Sequence, residues 1–220
     1  MRLSLCGFVA ISGLIAHADQ GRLEISVIDE STQEPIPCRI HLKDPNGKAV
    51  KAEKLPFFRD HFVCSGTILL DLAPGNYSYE IERGPEYLMR TGSVTVTAAA
   101  EQNLDLKIGR IVNLATEGWW SGELHVHRPV DDIKLLMQAE DLHVAPVMTW
   151  WNARNEWSTR KPPANLLVQF DRNHFYHVMA GEDEREGGAL LYFNLKEPLP
   201  ISSAKREYPC LLYTSDAADE

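Results

Sequence analysis

The chain has 220 residues, a net charge of −9 from 22 Lys+Arg against 31 Asp+Glu, and 44% hydrophobic residues. That length suits two small domains or one larger one. An acidic chain with no Lys/Arg cluster repels phosphate backbones, so nucleic acid is excluded as an expected partner.

Met1-Arg2 supplies a positive start, Leu3 to Ile15 is an uncharged apolar run, and Ala16-His17-Ala18 has the small-x-small form of a cleavage site. Residues 1–18 are therefore expected to be a secretory signal peptide. The mature protein would begin near Asp19 and be periplasmic or secreted. The run is too short for a permanent span, and no later stretch approaches transmembrane length, so no membrane span is expected. In an oxidising compartment Cys38 and Cys64 can pair, and two buried free thiols are the alternative.

Residues 19–112 read as short strands between turns. Leu23–Ile28 and Cys38–Lys43 alternate apolar and polar residues, the period of a half-buried strand. Pro35 and Pro37 separate them, and Asp44-Pro-Asn-Gly47 is a turn in which Asn and Gly tolerate positive φ. Strands follow at Thr67–Leu72, Asn76–Ile81, Ser93–Thr97 and Asn103–Ile108. Frequent short strands with Pro/Gly turns predict a β-sandwich. Strand, Pro-x-Pro, strand, Asn-Gly and Leu72-Ala-Pro-Gly-Asn-Tyr77 together resemble carboxypeptidase-regulatory-like or transthyretin-like domains. That resemblance implies a sandwich with Tyr77 packed inward and no activity of its own.

The pattern changes at Trp119. Trp119-Trp-Ser-Gly-Glu-Leu-His-Val-His127 precedes a helical pattern over Val130–Leu142, with Asp131 or Asp132 available as its cap. Apolar strands are predicted at Val144–Thr149, Phe175–Ala180 and Leu190–Leu195. Strand–helix–strand alternation suggests parallel βα units, whose sites collect at the carboxyl ends of strands. His127, Thr149 and Glu182 fall at such ends. On a strand, His125 and His127 point to one face and can hold one divalent cation.

Gly122-Glu-Leu-His-Val-His127, Ala139-Glu-Asp-Leu-His-Val-Ala-Pro-Val-Met-Thr-Trp-Trp151 and Ala180-Gly-Glu-Asp-Glu-Arg-Glu-Gly-Gly188 resemble the PHP (polymerase and histidinol phosphatase) superfamily, and within it the CehA/McbA-type metallohydrolases. The resemblance implies an N-terminal β-sandwich followed over residues 113–209 by an incomplete (βα)7-type barrel. It further implies a divalent metal (Zn, Mn or Fe) held by His125, His127, Asp132 and Glu182, with Glu182 also catalytic. The implied function is hydrolysis of an ester, carbamate or phosphoester from a small-molecule or cell-surface substrate. The alternative is a non-catalytic, exported ligand- or carbohydrate-binding protein with a degenerate barrel. Thr149-Trp150-Trp151 departs from the family's Thr-Asp-His, which removes one metal-binding His. Asn152 is a weaker oxygen donor nearby. Residues 210–220 match the translation of a library adapter, so the natural chain is expected to be cut short near Pro209.

Overall fold

The computed structural model describes residues 20–152, 154–184 and 189–199. The expected signal peptide and the adapter-like tail lie outside the described residues. The first module holds eight strands: β1 (Gly21–Asp29), β2 (Cys38–Lys43), β3 (Phe57–Phe58), β4 (His61–Cys64), β5 (Thr67–Leu72), β6 (Gly75–Glu82), β7 (Arg90–Val96) and β8 (Glu101–Ile108). They form a three-stranded sheet, β5-β1-β8, and a five-stranded sheet, β3-β4-β2-β6-β7. The β1–β8 pair is parallel, and every pair in the larger sheet is antiparallel.

Strict alternation explains how the two sheets meet. Leu23, Ile25 and Val27 of β1 are fully buried, and so are Cys38, Ile40 and Leu42 of β2. These inward rows share one apolar core with Phe62 of β4, Leu70 and Leu72 of β5, and Tyr77 and Ile81 of β6. Tyr77 does pack inward, its hydroxyl donating to the Ala73 carbonyl at 2.9 Å. Burying that hydroxyl without a partner would be costly, and the turn carbonyl meets the need.

Cys38 and Cys64 face each other directly across the β2–β4 pair, and both are buried free thiols. The hydrogen bond to Cys64, then burial, pushes the Cys38 thiol well above its ordinary range. Given glutathione disulfide to accept the two electrons, the pair is expected to lose two protons and form a disulfide, adding about 3 kcal/mol. Non-reducing peptide mapping should recover a linked Cys38–Cys64 peptide, with the melting temperature falling on reduction. Recovery of two unlinked peptides would show that the core holds thiols.

The second module contains α1 (Ile133–Glu140), β9 (Val144–Trp151), β10 (Arg154–Asn155), β11 (Leu167–Gln169), β12 (Phe175–Asp183) and β13 (Leu190–Tyr192), in a sheet ordered β10-β9-β12-β11 with β13 also on β12. β9 and β12 are parallel, whereas β10, β11 and β13 join antiparallel. Residues 122–126 lie beside β9 through two parallel bridges, Gly122 to Val144 and Val126 to Val147.

This corrects the expected incomplete (βα)7-type barrel. One crossover is helical, from residues 122–126 through α1 to β9. The next, from β9 to β12, carries short strands and a 3-10 turn at Glu156–Ser158, with no α-helix among the described residues. Its Lys161-Pro162-Pro163 sequence gives the reason. Adjacent prolines lack N–H donors and crowd the preceding turn, so a helix cannot run through them. The antiparallel β13 then occupies the edge of β12 over Gly181–Asp183, where a barrel would need a further parallel strand.

The modules meet where α1 lies against the five-stranded sheet. Arg83 donates to the carbonyls of Pro37 (2.8 Å) and Gln138 and pairs with Asp141 at 2.8 Å. Arg110 reaches the other Asp141 oxygen at 2.8 Å. Both guanidiniums also lie over the Tyr87 ring. Arg39 of β2 bonds Glu140 at 3.1 Å.

Candidate metal centre

The His-x-His segment owes its geometry to β9. Glu123 N–H donates to the Val144 carbonyl (3.1 Å), and Met148 N–H to that of Val126 (2.9 Å). Val126 packs with the buried Ile133, Met137 and Val147. With Val126 turned inward, the period-two alternation of extended chain puts His125 and His127 together on the other face. Their side chains are 45% and 35% exposed. Glu123 accepts the His125 N–H at 3.0 Å and braces the segment.

Glu182 arrives from β12, on the far side of β9, and is 2% exposed. Its Oε2 lies 2.6 Å from His127 Nε2 and 3.0 Å from His125 Nε2, and the two Nε2 atoms are 3.0 Å apart. Three potential ligand atoms thus form a small triangle. A buried carboxylate needs a compensating positive charge, which a proton or a metal can supply. Zinc bonds of 2.0–2.2 Å in tetrahedral geometry call for edges of about 3.3 Å. Two edges of the triangle need to open by about 0.3 Å and the third by about 0.7 Å to become one face of such a site. Two neutral imidazoles and one carboxylate are a donor set suited to zinc, so the residues fit the ion.

The other predicted participants are elsewhere. Asp132 is the N-cap residue of α1 without a side-chain cap hydrogen bond, and it falls outside the triangle's ligand group. Asn152 is committed to the backbone: its Oδ1 accepts the Glu184 N–H at 2.9 Å, and its own N–H donates to the Glu182 carbonyl at 2.9 Å. It therefore positions Glu182 and offers no free oxygen donor. Trp151 meets the His127 ring edge-on at 5.1 Å. Thr149 accepts from Trp157 Nε1 and donates to the Val178 carbonyl, a structural role. His143 stacks on His174 with centroids 4.9 Å apart, and burial, then the neighbouring His174, pushes its pKa down. Burial does the same to His177, whose Nδ1 faces the Met179 N–H at 3.3 Å.

One feature has no signal in the sequence. A cleft of about 550 Å³ opens beside His127, lined by Arg128, Arg154, Arg160, Asp131, Glu156 and Trp151 among others. Arg160 is paired with Glu156. Linear sequence shows no basic cluster because Arg128 lies 26 residues before Arg154 and the fold alone brings it to Arg154 and Arg160. The buried Trp151 Nε1 has no hydrogen-bond partner among the described residues.

No family model matches the chain, and no curated protein matches it. Solved structures similar to part of it are β-domain proteins. GBS52, the minor pilin of Streptococcus agalactiae, has a TM-score of 0.35 at 20% identity, over 43% of this chain and 46% of that one. BcpA, the major pilin subunit of Bacillus cereus, has a TM-score of 0.33 at 17% identity, over 42% and 30%. A DUF3823 family protein from Bacteroides uniformis has a TM-score of 0.28 at 12% identity, over 43% and 45%. The chain spans less than half the length of each. The PHP resemblance is not sustained: no family model matches, and the second module is a mixed sheet with a single helical crossover among the described residues, where a βα barrel was expected. Regular structure among the described residues is mostly strand, with one eight-residue α-helix. The expected PHP-type hydrolase activity falls with the barrel that was to carry it, and so does the degenerate-barrel version of the binding reading.

Proposed function

We propose that this is an exported protein that binds one divalent metal ion, zinc by donor preference, through His125, His127 and Glu182. The reading is one of binding, without a hydrolytic step. The observation that carries it is the convergence of two imidazole nitrogens and one buried carboxylate oxygen within 3.0 Å of one another. The signal-like N-terminus supports export, and no helix among the described residues is long and apolar enough to cross a membrane.

His127 also lines the neighbouring cleft, which would give a further ligand a path to a metal held by the triangle. The cleft's arginines suit a small anionic molecule. A bound zinc ion would supply an electrophilic centre for such a ligand.

Equilibrium dialysis of the full chain against Zn²⁺ tests the reading. His127→Ala and Glu182→Gln are each expected to remove one bound equivalent, with affinity at this site falling at least about 100-fold. Zinc at 100 times its Kd should raise wild-type stability by about 2.7 kcal/mol, an increment lost with that equivalent in both variants. Unchanged stoichiometry and affinity in both would show that the triangle is only a proton-sharing cluster.

A further inference from the structure

We propose a second divalent-metal site, on the outer face of the five-stranded sheet, in which His41 and His61 supply imidazole nitrogens and Asp60 a carboxylate.

Strand register builds it. In β2, Cys38, Ile40 and Leu42 point into the core, so Arg39, His41 and Lys43 point out. The β2–β4 pairing of Cys38 with Cys64 and Ile40 with Phe62 continues to bring His41 opposite His61. Their ring centroids are 4.8 Å apart. Asp60 sits in the tight turn between β3 and β4, where the positive φ of Arg59 (57°) turns the chain back toward His61. The Asp60 carboxylate lies 3.1 Å from His61 Nδ1 and 3.4 Å from His41 Nδ1. Both Nδ1 atoms therefore converge on one carboxylate, and the three ligand atoms lie within 4.8 Å of one another.

The feature that singles out a cation is the other side of the His41 ring. Its Nε2 bonds Glu82 Oε1 at 2.9 Å. With Nε2–H donating to Glu82, a metal-ligating His41 would present its Nδ1 lone pair toward the Asp60 carboxylate oxygen at 3.4 Å. Carboxylates on both sides of one imidazole call for a positive charge at Nδ1, which a proton or a metal ion can supply. A carboxylate on the far nitrogen is also how a metal-ligating histidine is usually held in the correct tautomer and orientation. Glu82 is thus the positioning residue for His41. Arg39, a neighbouring positive charge, is offset by Glu82 at 3.0 Å and Glu140 at 3.1 Å. The imidazole side chains are only 15% and 13% exposed, while Asp60, 55% exposed, leaves the ion an entry path. Two imidazoles and a carboxylate favour zinc or cobalt over magnesium or calcium.

The site shares no residue with the His125–His127–Glu182 triangle, so the two proposals can fail separately. The test uses the full chain carrying His125→Ala and His127→Ala, which silences the first site. Co²⁺ titration of this variant is expected to give the visible bands of a low-coordinate nitrogen–oxygen site, with Zn²⁺ displacing the cobalt at one equivalent. Adding Asp60→Asn, a conservative change at an exposed turn, should weaken Zn²⁺ at least tenfold. Adding His61→Asn should abolish the bands. Absence of cobalt and zinc binding in the His125→Ala, His127→Ala chain overturns the proposal and identifies the cluster as a proton-bridged ion network. Binding that survives both Asp60→Asn and His61→Asn also overturns it. Should His61→Asn fail to fold, the Asp60→Asn comparison alone decides between the two outcomes.

Discussion

Replacing Asp141 by Ala is expected to destabilise the protein by about 3–5 kcal/mol, the cost of removing one partner from a buried ion pair. Asp141 closes the C-terminus of α1 in the left-handed conformation (φ 55°) and is 6% exposed. One of its carboxylate oxygens holds Arg83 and the other holds Arg110, each at 2.8 Å. Arg83, at 8% exposure, would be left charged where little water reaches it. Arg110 is a quarter exposed, and solvent would screen much of its share. Alanine also lacks the short polar side chain that eases left-handed backbone. Thermal unfolding of Asp141→Ala should show a melting temperature lower by roughly 10 °C. Asp141→Asn keeps the left-handed tolerance and one acceptor, and should recover part of the loss. A melting temperature within 1–2 °C of wild type for Asp141→Ala would show that the modules do not depend on this network.

Gly181→Ala is the second large effect, expected near 3 kcal/mol, the upper end of the usual overpacking range. Gly181 precedes Glu182 in β12 and crosses β9 at Trp150. A Cβ there would sit 1.8 Å from Trp150 Cε3, well inside van der Waals contact. The indole cannot simply swing away, because it is 4% exposed and meets Tyr192 edge-on at 5.5 Å. Either Trp150 or the backbone of β12 must move. Displacing β12 carries Glu182 away from His125 and His127, so zinc affinity should fall along with stability. Urea unfolding and zinc dialysis on one preparation measure both. Full stability with weakened zinc binding would mean that strain is absorbed locally by β12. Loss of neither would place Trp150 in a roomier pocket than this packing allows.

The local alternations were legible because they are properties of a single strand. In Leu23–Ile28 and Cys38–Lys43 every second residue is apolar, and the strands β1 and β2 lie there with those residues buried. The His-x-His spacing likewise had one meaning in extended chain, with both rings on one face. The same local logic misled beyond Trp151. The one helical pattern, Val130–Leu142, suggested that βα units repeat, although Pro162-Pro163 made a helix between β9 and β12 unfavourable.

Partners across space were not legible, because contacts between distant segments depend on register and layer packing, which no short stretch encodes. His41 and His61 looked unremarkable until the β2–β4 register set them side by side. Arg83, Arg110 and Asp141 belong to three separate elements, and only the docking of α1 on the larger sheet joins them. Arg128, Arg154 and Arg160 line one cleft for the same reason. The sequence alone established which residues of β1 and β2 face inward and where turns fall, and it singled out the His125–His127 pair, since backbone geometry and side-chain type are local. Which of those side chains meet was left to the folded chain, because burying the apolar faces together selects the register and thereby chooses each polar residue's neighbours.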